Sequence, residues 1–364
     1  MPIVGATLVR YFGLRFLSAV LLTFVGTFAL IALLDYFELM RRASEIPHVS
    51  ALLVAKTSLY RVPQVTERMM PFCVLIGAMS CYLNLSRRLE LVVARAAGMS
   101  AWQFISPALV VAFLLGIVAT TIYNPISALM QERAKRYEAE LFGQKPTGAS
   151  SGGSFWVAQQ SGDGQAIINA KSSRDQGTTL NGVSVFTFDA AGQFKQRIEA
   201  RAAILDPGVW RLLGARVYGL AVLPVDERVY RLKTSLTPEQ VRESFATPET
   251  VPFWELPLYI KIAEHAGLVA AGYRFQFQKL LARPFLLTAM VFLAASVSLR
   301  FFRFGGVQKM VLSGVGAGFL LYVLSKVTED LSKADLMHPV AAAWLPVLAG
   351  GLTGFIALLY QEDG

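Results

Sequence analysis

Six runs of apolar residues constrain this chain more than any other feature. They fall near Phe16–Leu34, Met69–Leu85, Trp102–Tyr123, Leu280–Leu299, Met310–Val327 and Pro339–Tyr360. A bilayer core takes roughly 17–25 helical residues to cross, and it offers no water to an unpaired peptide group, so such runs must become helices. Three precede a more polar stretch and three follow it. The 54% hydrophobic and 16% charged content, with a mean hydropathy of +0.48, fits a polytopic membrane protein and excludes an ordinary water-soluble enzyme. Arg283-Pro284 interrupts the fourth run near its start. The first run is longer than a secretory core and lacks a small-x-small cleavage site, so it is expected to stay in the mature chain.

Hydrophobicity falls between residues 130 and 275, which divides the chain into 1–129, 130–275 and 276–364. Gly148–Ser154 reads as a flexible linker. Short strand-like runs follow at Phe155–Val157, Ala166–Asn169, Val183–Phe188, Val209–Leu213 and Arg228–Leu232. Turn signals between them are Asn181-Gly182, Asp189–Gly192 and Asp206-Pro207-Gly208. The spacing predicts a small all-β sandwich or jelly roll. A helix start at Thr237–Gln240 and a helix over Trp254–Ala266 lead back to the membrane. The expected fold class is a polytopic α-helical membrane protein of six transmembrane helices with an inserted all-β, jelly-roll-like domain.

Arg10 and Arg15 hold the N-terminus in the cytoplasm, and they place Arg87, Arg88, Arg95, Arg300, Arg303 and Lys309 on that side too. The competing outer loops hold Arg41, Arg42, Lys56, Arg61 and Lys333. Six spans then return the C-terminus to the cytoplasm. Cys73 and Cys81, eight residues apart in one span, lie about 12 Å apart on a helix, too far for a disulfide. His48, His265 and His338 form no metal spacing, and no cofactor is expected.

Between spans two and three stands a charged amphipathic segment, residues 86–98, with Arg87, Arg88, Glu90 and Arg95. Leu89, Val92, Val93 and Ala96 recur at helical spacing, and Arg88 and Arg95 stack on another face. Gly98 is placed to stop this helix, and Ser100 with Gln103 to cap the next. The segment offers charge to a soluble partner, or it is a solvated connector.

Sites of chemistry are missing. There is no phosphate-binding G-x-x-x-x-G-K-[ST] loop, no H-E-x-x-H and no G-x-S-x-G. Gly314, Gly318, Gly350 and Gly354 sit inside spans at four-residue spacing and read as close helix packing. Asp35, Glu38, Glu67, Arg68, Arg283, Lys326 and Glu329 fall near span ends, where snorkelling and interfacial water account for them. Arg41, Arg42, Arg61, Arg68, Arg133, Lys135 and Arg136 cluster at three outer span ends. They either frame a site for an anionic lipid headgroup or serve as anchors paired with Glu38, Glu67, Glu132 and Glu138.

The segment Leu89-Glu-Leu-Val-Val-Ala-Arg-Ala-Ala-Gly-Met-Ser100 resembles the coupling segment of the LptF/LptG permeases of the lipopolysaccharide-export ABC transporter. Pro63, Pro71, Arg283-Pro284, Ser298–Gly306, Gly318–Tyr322 and Ala343–Pro346 extend the resemblance over essentially the whole chain, and the LptG branch is the more similar. The resemblance implies a periplasmic β-jellyroll, an inner-membrane heterodimer with an LptF-type permease, a cytoplasmic ATPase dimer and a single-span periplasmic bridge protein. Lipopolysaccharide would be the substrate, ATP hydrolysis would belong to the partner, and spans one and five would face the second permease. Glu90 falls on the family's coupling glutamate, with Arg87, Arg88 and Arg95 beside it. Asp35, Gln64 and Glu138 stand where relatives carry basic residues, which implies a positive rim moved onto Arg61, Arg68, Arg133 and Arg136. Two other classes compete. A lipid-modifying membrane enzyme would have to use Asp35, Glu38 and Glu67, and a passive assembly factor would make Glu90 dispensable.

Overall fold

The computed structural model describes residues 6–44, 50–142, 155–161, 164–174, 178–189, 193–219, 223–234, 248–265, 270–302 and 307–362. The Gly148–Ser154 linker, the Thr237–Gln240 helix start and Arg303 lie outside them. The chain forms two compact units. The first joins Met1–Ala134, Pro252–Trp254 and Arg274–Gly364, and the second joins Lys135–Val251 and Glu255–Tyr273.

Six helices of the described residues are long and apolar enough to cross a membrane. They comprise α1 (Ala6–Ala43), α2 (Ala51–Arg87), α4 (Ala101–Val118) continued into α5 (Asn124–Leu141), α7 (Ala271–Phe302), α8 (Val307–Lys333) and α9 (Pro339–Glu362). Two short helices complete the set, α3 (Glu90–Ala96) and α6 (Leu256–His265). The helices outrun the apolar runs that predict them. Pro63, Pro71 and Pro284 lie inside continuous helix, so Arg283-Pro284 does not mark the start of the fourth span.

The helical core gathers Phe12, Phe16 and Val20 of α1 and Val74, Leu75 and Ala78 of α2. Phe104, Ile105 and Ala112 of α4 and Leu287, Val291 and Ala294 of α7 complete it. Lipid is as apolar as leucine, so helices associate in a membrane by close approach of backbones. Gly77 faces the α1 backbone, where an added Cβ would lie 2.7 Å from Val20 Cα. Gly116 is tighter, since a Cβ there would meet Pro284 Cα at 2.3 Å. At Gly314 and Gly318 the obstacles are Met79 and Leu75 of α2, each at 2.4 Å. At Gly350 and Gly354 they are Leu321 of α8 and Phe292 of α7, each at 2.8 Å. Cys73 and Cys81 are buried free thiols in this helical core.

In the second unit the described strands form one antiparallel sheet, each pairing with its sequence neighbours. These are β1 (Phe155–Ser161), β2 (Gly164–Arg174), β3 (Thr179–Phe188), β4 (Phe194–Asp206), β5 (Val209–Gly219) and β6 (Val225–Lys233). The expected jelly-roll-like insert is thus all-β, with its described strands in meander order. β4 is a strand that the strand-like runs omit. Asn181-Gly182 is not a turn but lies inside β3, where Gly182 takes φ +61°. Gly214 of β5 has φ +62°, and the side chain of Arg201 in β4 packs beside it. At this level the inward face changes phase in all three strands. Buried positions run Leu180 then Val183 and Val185 in β3, Ile198 and Ala200 then Ala203 and Leu205 in β4, and Trp210 and Leu212 then Ala215 in β5. The pairing register is the same on both sides of the slip. Positive-φ glycine permits that slip where a β-carbon would resist it. Pro207-Gly208 is the β4–β5 turn as expected, with Gly208 at φ +77°. Across β5 and β6 the Arg216 guanidinium donates to both oxygens of Asp226, at 2.6 and 2.9 Å. That hydrogen bonding holds the Asp226 carboxyl below the usual carboxylate range.

Candidate functional site

Two polar regions flank the apolar run Met69–Leu85 of α2, one around Glu67 midway along that helix and one past its C-terminal end. About 20 helical residues separate Glu67 from Arg87, or about 30 Å, the thickness of a hydrocarbon core.

At the C-terminal end of α2 the chain breaks at Leu89, a non-glycine residue at φ 60°, before α3 begins at Glu90. Arg87 therefore ends α2 and Arg88 caps it, so neither belongs to α3 and the expected stacking of Arg88 with Arg95 on one helix does not occur. The αL residue makes the turn sharp enough for a seven-residue helix to fold back. Gly98, at φ +82°, ends α3 through bonds from Gly98 N–H to Arg95 O at 2.9 Å and Met99 N–H to Ala94 O at 3.1 Å. Ser100 and Gln103 then form the expected capping box of α4.

Leu91 and Ala94 are the residues α3 buries. Leu89, Val92 and Val93 face outward at 60%, 41% and 66% exposure, among exposed Arg87, Arg88 and Arg95. The helical spacing of the apolar residues thus marks an open face rather than the packed one. Glu90 is half-buried, not free in solvent. Tyr11 of α1 donates its hydroxyl to Glu90 Oε2 at 2.9 Å, and Arg15 Nε donates to the Tyr11 oxygen at 3.2 Å. One carboxylate on the short helix is thereby tied to the first span.

The other region surrounds Glu67. Arg283 Nη1 of α7 lies 2.6 Å from Glu67 Oε1, and the two side chains are 12% and 6% exposed, which makes this a buried ion pair. Asn124 Nδ2 donates to the same carboxylate at 2.8 Å, and the Ser127 hydroxyl donates to its other oxygen. Snorkelling and interfacial water do not account for Glu67 and Arg283; they satisfy each other inside the helix bundle. The π-helical turn Ala119–Tyr123 joins α4 to α5 here. Such a turn displaces backbone carbonyls from the regular ladder. Ala119 O takes a long 3.5 Å contact from Arg283 Nη1, and Thr121 O accepts from Trp254 Nε1 at 3.1 Å. Tyr123 donates to Pro63 O at 3.0 Å, and Thr120 to Leu280 O at 3.0 Å. Sequence reasoning missed this cluster. Its signal is Thr120, Asn124 and Ser127 at i, i+4 and i+7 in a charge-free run, all buried.

A second unread cluster centres on buried Glu329 of α8, which receives Lys279 at 2.8 Å, Lys333 at 2.7 Å and Lys326 at 3.4 Å. Of the basic residues considered for a headgroup, Arg42 pairs with Glu38 and Arg61 with Asp35 at 3.6 Å. Asp35 therefore neutralises part of the rim that the resemblance moves onto Arg61. Arg41, Arg68 and Arg133 are exposed in the helical unit, and Lys135 and Arg136 are exposed in the second unit. Among the described residues no His, Cys, Asp or Glu group could hold a metal ion.

The family model for the lipopolysaccharide export system permease LptF/LptG matches residues 10–360. A lipopolysaccharide export system permease protein LptG of Escherichia coli is 23% identical over 351 residues, 93% of each chain. Its counterpart from Haemophilus influenzae is 25% identical over 358 residues, 94% of this chain and 95% of that one.

Proposed function

The chain belongs to the LptF/LptG family of lipopolysaccharide export permeases, and on that premise we propose that it is an LptG-type subunit driven by a separate cytoplasmic ATPase. It is a multi-pass membrane protein, and its work is transport. Both termini and α3 face the cytoplasm in this reading, with the β sheet in the periplasm. An LptF-type permease completes the heterodimer, a dimeric ATPase docks below it, and a single-span bridge protein receives lipopolysaccharide above.

The observation that carries the proposal is the outward apolar face of α3. Leu89, Val92 and Val93 amid Arg87, Arg88 and Arg95 present an apolar knob in a basic ring, suited to an apolar groove with an acidic rim. Glu90, hydrogen-bonded to Tyr11, links that face to α1. A docked ATPase that closes on nucleotide would move α3 as a rigid body and pull on the first span.

The spans differ in how much of their apolar surface the chain itself covers. Only 6% of the most apolar stretch of α1 and 22% of that of α8 is buried, against 61% in each of α2 and α7. Spans one and five accordingly face the second permease and the lipid between them. Arg41, Arg68 and Arg133, with Lys135 and Arg136, supply cations for the lipid phosphates. The lipid-modifying alternative loses its carboxylates to structure, since Asp35, Glu38 and Glu67 are each held by an arginine.

Native mass spectrometry of the tagged protein, released gently from its own membranes, tests the assembly. The expected species contains a second permease, two ATPase copies and a ligand of lipopolysaccharide mass. A lone chain carrying ordinary phospholipid would refute it.

A further inference from the structure

Glu67 of α2 receives hydrogen bonds from two other helices. Arg283 reaches it from α7, and Asn124 and Ser127 reach it from α5, the helix that precedes the β strands in sequence. The segment Pro252–Trp254, which follows the sheet in sequence yet groups with the helical unit, reaches this cluster through Asn124. Asn124 bridges the two. Its Nδ2 donates to Glu67 at 2.8 Å while its Oδ1 accepts the Phe253 N–H at 3.0 Å. One residue on, Trp254 Nε1 donates to Thr121 O, an acceptor inside the π turn. The Phe253 ring stacks on Phe277 of α7 at 5.5 Å with an interplanar angle of 7°. Pro284, next to Arg283 in sequence, meets Gly116 so closely that α4 and α7 are at backbone contact.

We propose that Glu67, Asn124 and Arg283 are positioning residues for transport, forming a joint that clamps both the outgoing and the returning connections of the β insert to spans two, three and four. The reasoning is mechanical. A displacement of helices reaches an inserted domain only through its two covalent connections and whatever fixes them. Here the returning connection is held by Asn124 of the outgoing one, and Asn124 is itself fixed to a buried carboxylate, where hydrogen bonds to a charge are strong and geometrically strict. The π turn supplies the place for it, because only its displaced carbonyl leaves an acceptor for Trp254. Helix movement at the α4–α7 crossing therefore carries the outgoing and returning segments together, and the insert moves as one body instead of being sheared between them.

The joint rests on the transport reading, and the experiment separates the two. Asn124→Ala removes the bridge to Phe253 while leaving the Glu67–Arg283 pair intact. Two readouts are taken on the full complex purified from its own membranes. Hydrogen exchange of the Phe253 amide, with Trp254 beside it, should accelerate about ten-fold in the variant, the equilibrium value of one lost hydrogen bond. In proteoliposomes, lipopolysaccharide released per ATP hydrolysed should fall about five-fold or more, at unchanged subunit stoichiometry and basal hydrolysis. Should Asn124→Ala fail to assemble, Trp254→Phe removes only the indole donor of an exposed side chain and is expected to shift both readouts in the same direction. Unchanged exchange would overturn the clamp. Faster exchange with an unchanged lipid-to-ATP ratio would reduce the residues to structural packing and overturn their positioning role. A wild-type complex that hydrolyses ATP without releasing lipid would condemn the transport reading, while the exchange data would still decide the clamp.

Discussion

Glu67 and Glu90 flank the apolar run of the second span, one midway along α2 and the other just past its C-terminal end, and are held in opposite ways. Glu67 is buried, paired with Arg283 and hydrogen-bonded by Asn124 and Ser127. Glu90 is half-buried, and its one described side-chain hydrogen bond comes from a tyrosine that is itself exposed. The first carboxylate has both oxygens hydrogen-bonded by its own chain, so it serves internal geometry. The second keeps acceptor capacity toward solvent, beside an apolar face that is largely exposed among the described residues. The contrast separates residues whose loss unfolds the protein from residues whose loss disconnects it.

The largest effect is expected from Glu67→Ala, which leaves Arg283 as an uncompensated charge in the bundle. It should cost about 3–5 kcal/mol in thermal unfolding of the detergent-solubilised protein, whereas replacing Glu67 and Arg283 together by leucine should cost far less. If the single and the double substitution proved equal, the pair would not be buried as described. Next comes Gly116→Ala. Its added Cβ would meet backbone at 2.3 Å, and about 1–3 kcal/mol of overpacking is expected. Gly316→Ala is the matched control, because nothing lies within 4 Å of a Cβ there and the same measurement should show no loss. The smallest effect on the subunit itself belongs to Glu90→Ala. Loss of one partly solvated hydrogen bond to Tyr11 should cost about 1 kcal/mol or less. A penalty as large as that of Glu67→Ala would erase the distinction between the two carboxylates.

The spans and the sheet were legible from sequence for different reasons, and to different depths. Apolar length alone announces a membrane helix, so all six were readable, but their ends were not. Arg283-Pro284 signals an interruption of the fourth run, yet Pro284 lies inside continuous helix, where neighbouring helices supply the packing that keeps it so. In the sheet, strand β4 escaped because its inward alternation changes phase between Ala200 and Ala203, which cancels the period-two signal over its length. Asn181-Gly182 carries the composition of a turn, and only pairing on both sides distinguishes it from a kink inside a strand. The short helix was legible in its stops, Gly98 and Ser100, because capping is local chemistry. Its orientation was not, since Leu91 and Ala94 as the buried pair depend on the αL turn at Leu89, which no propensity predicts. The Glu67 joint was missed for the same reason: its members are 57, 60 and 216 residues apart in sequence.

The central claim is that the outward face of α3 receives the ATPase. Val93→Asp puts a charge at the centre of that face, on a side chain 66% exposed, and leaves the packing of Leu91 and Ala94 untouched. Purification of the complex through this subunit should then recover the second permease at the wild-type ratio with the ATPase reduced about ten-fold or more. Full recovery of the ATPase with normal lipopolysaccharide release would contradict the account.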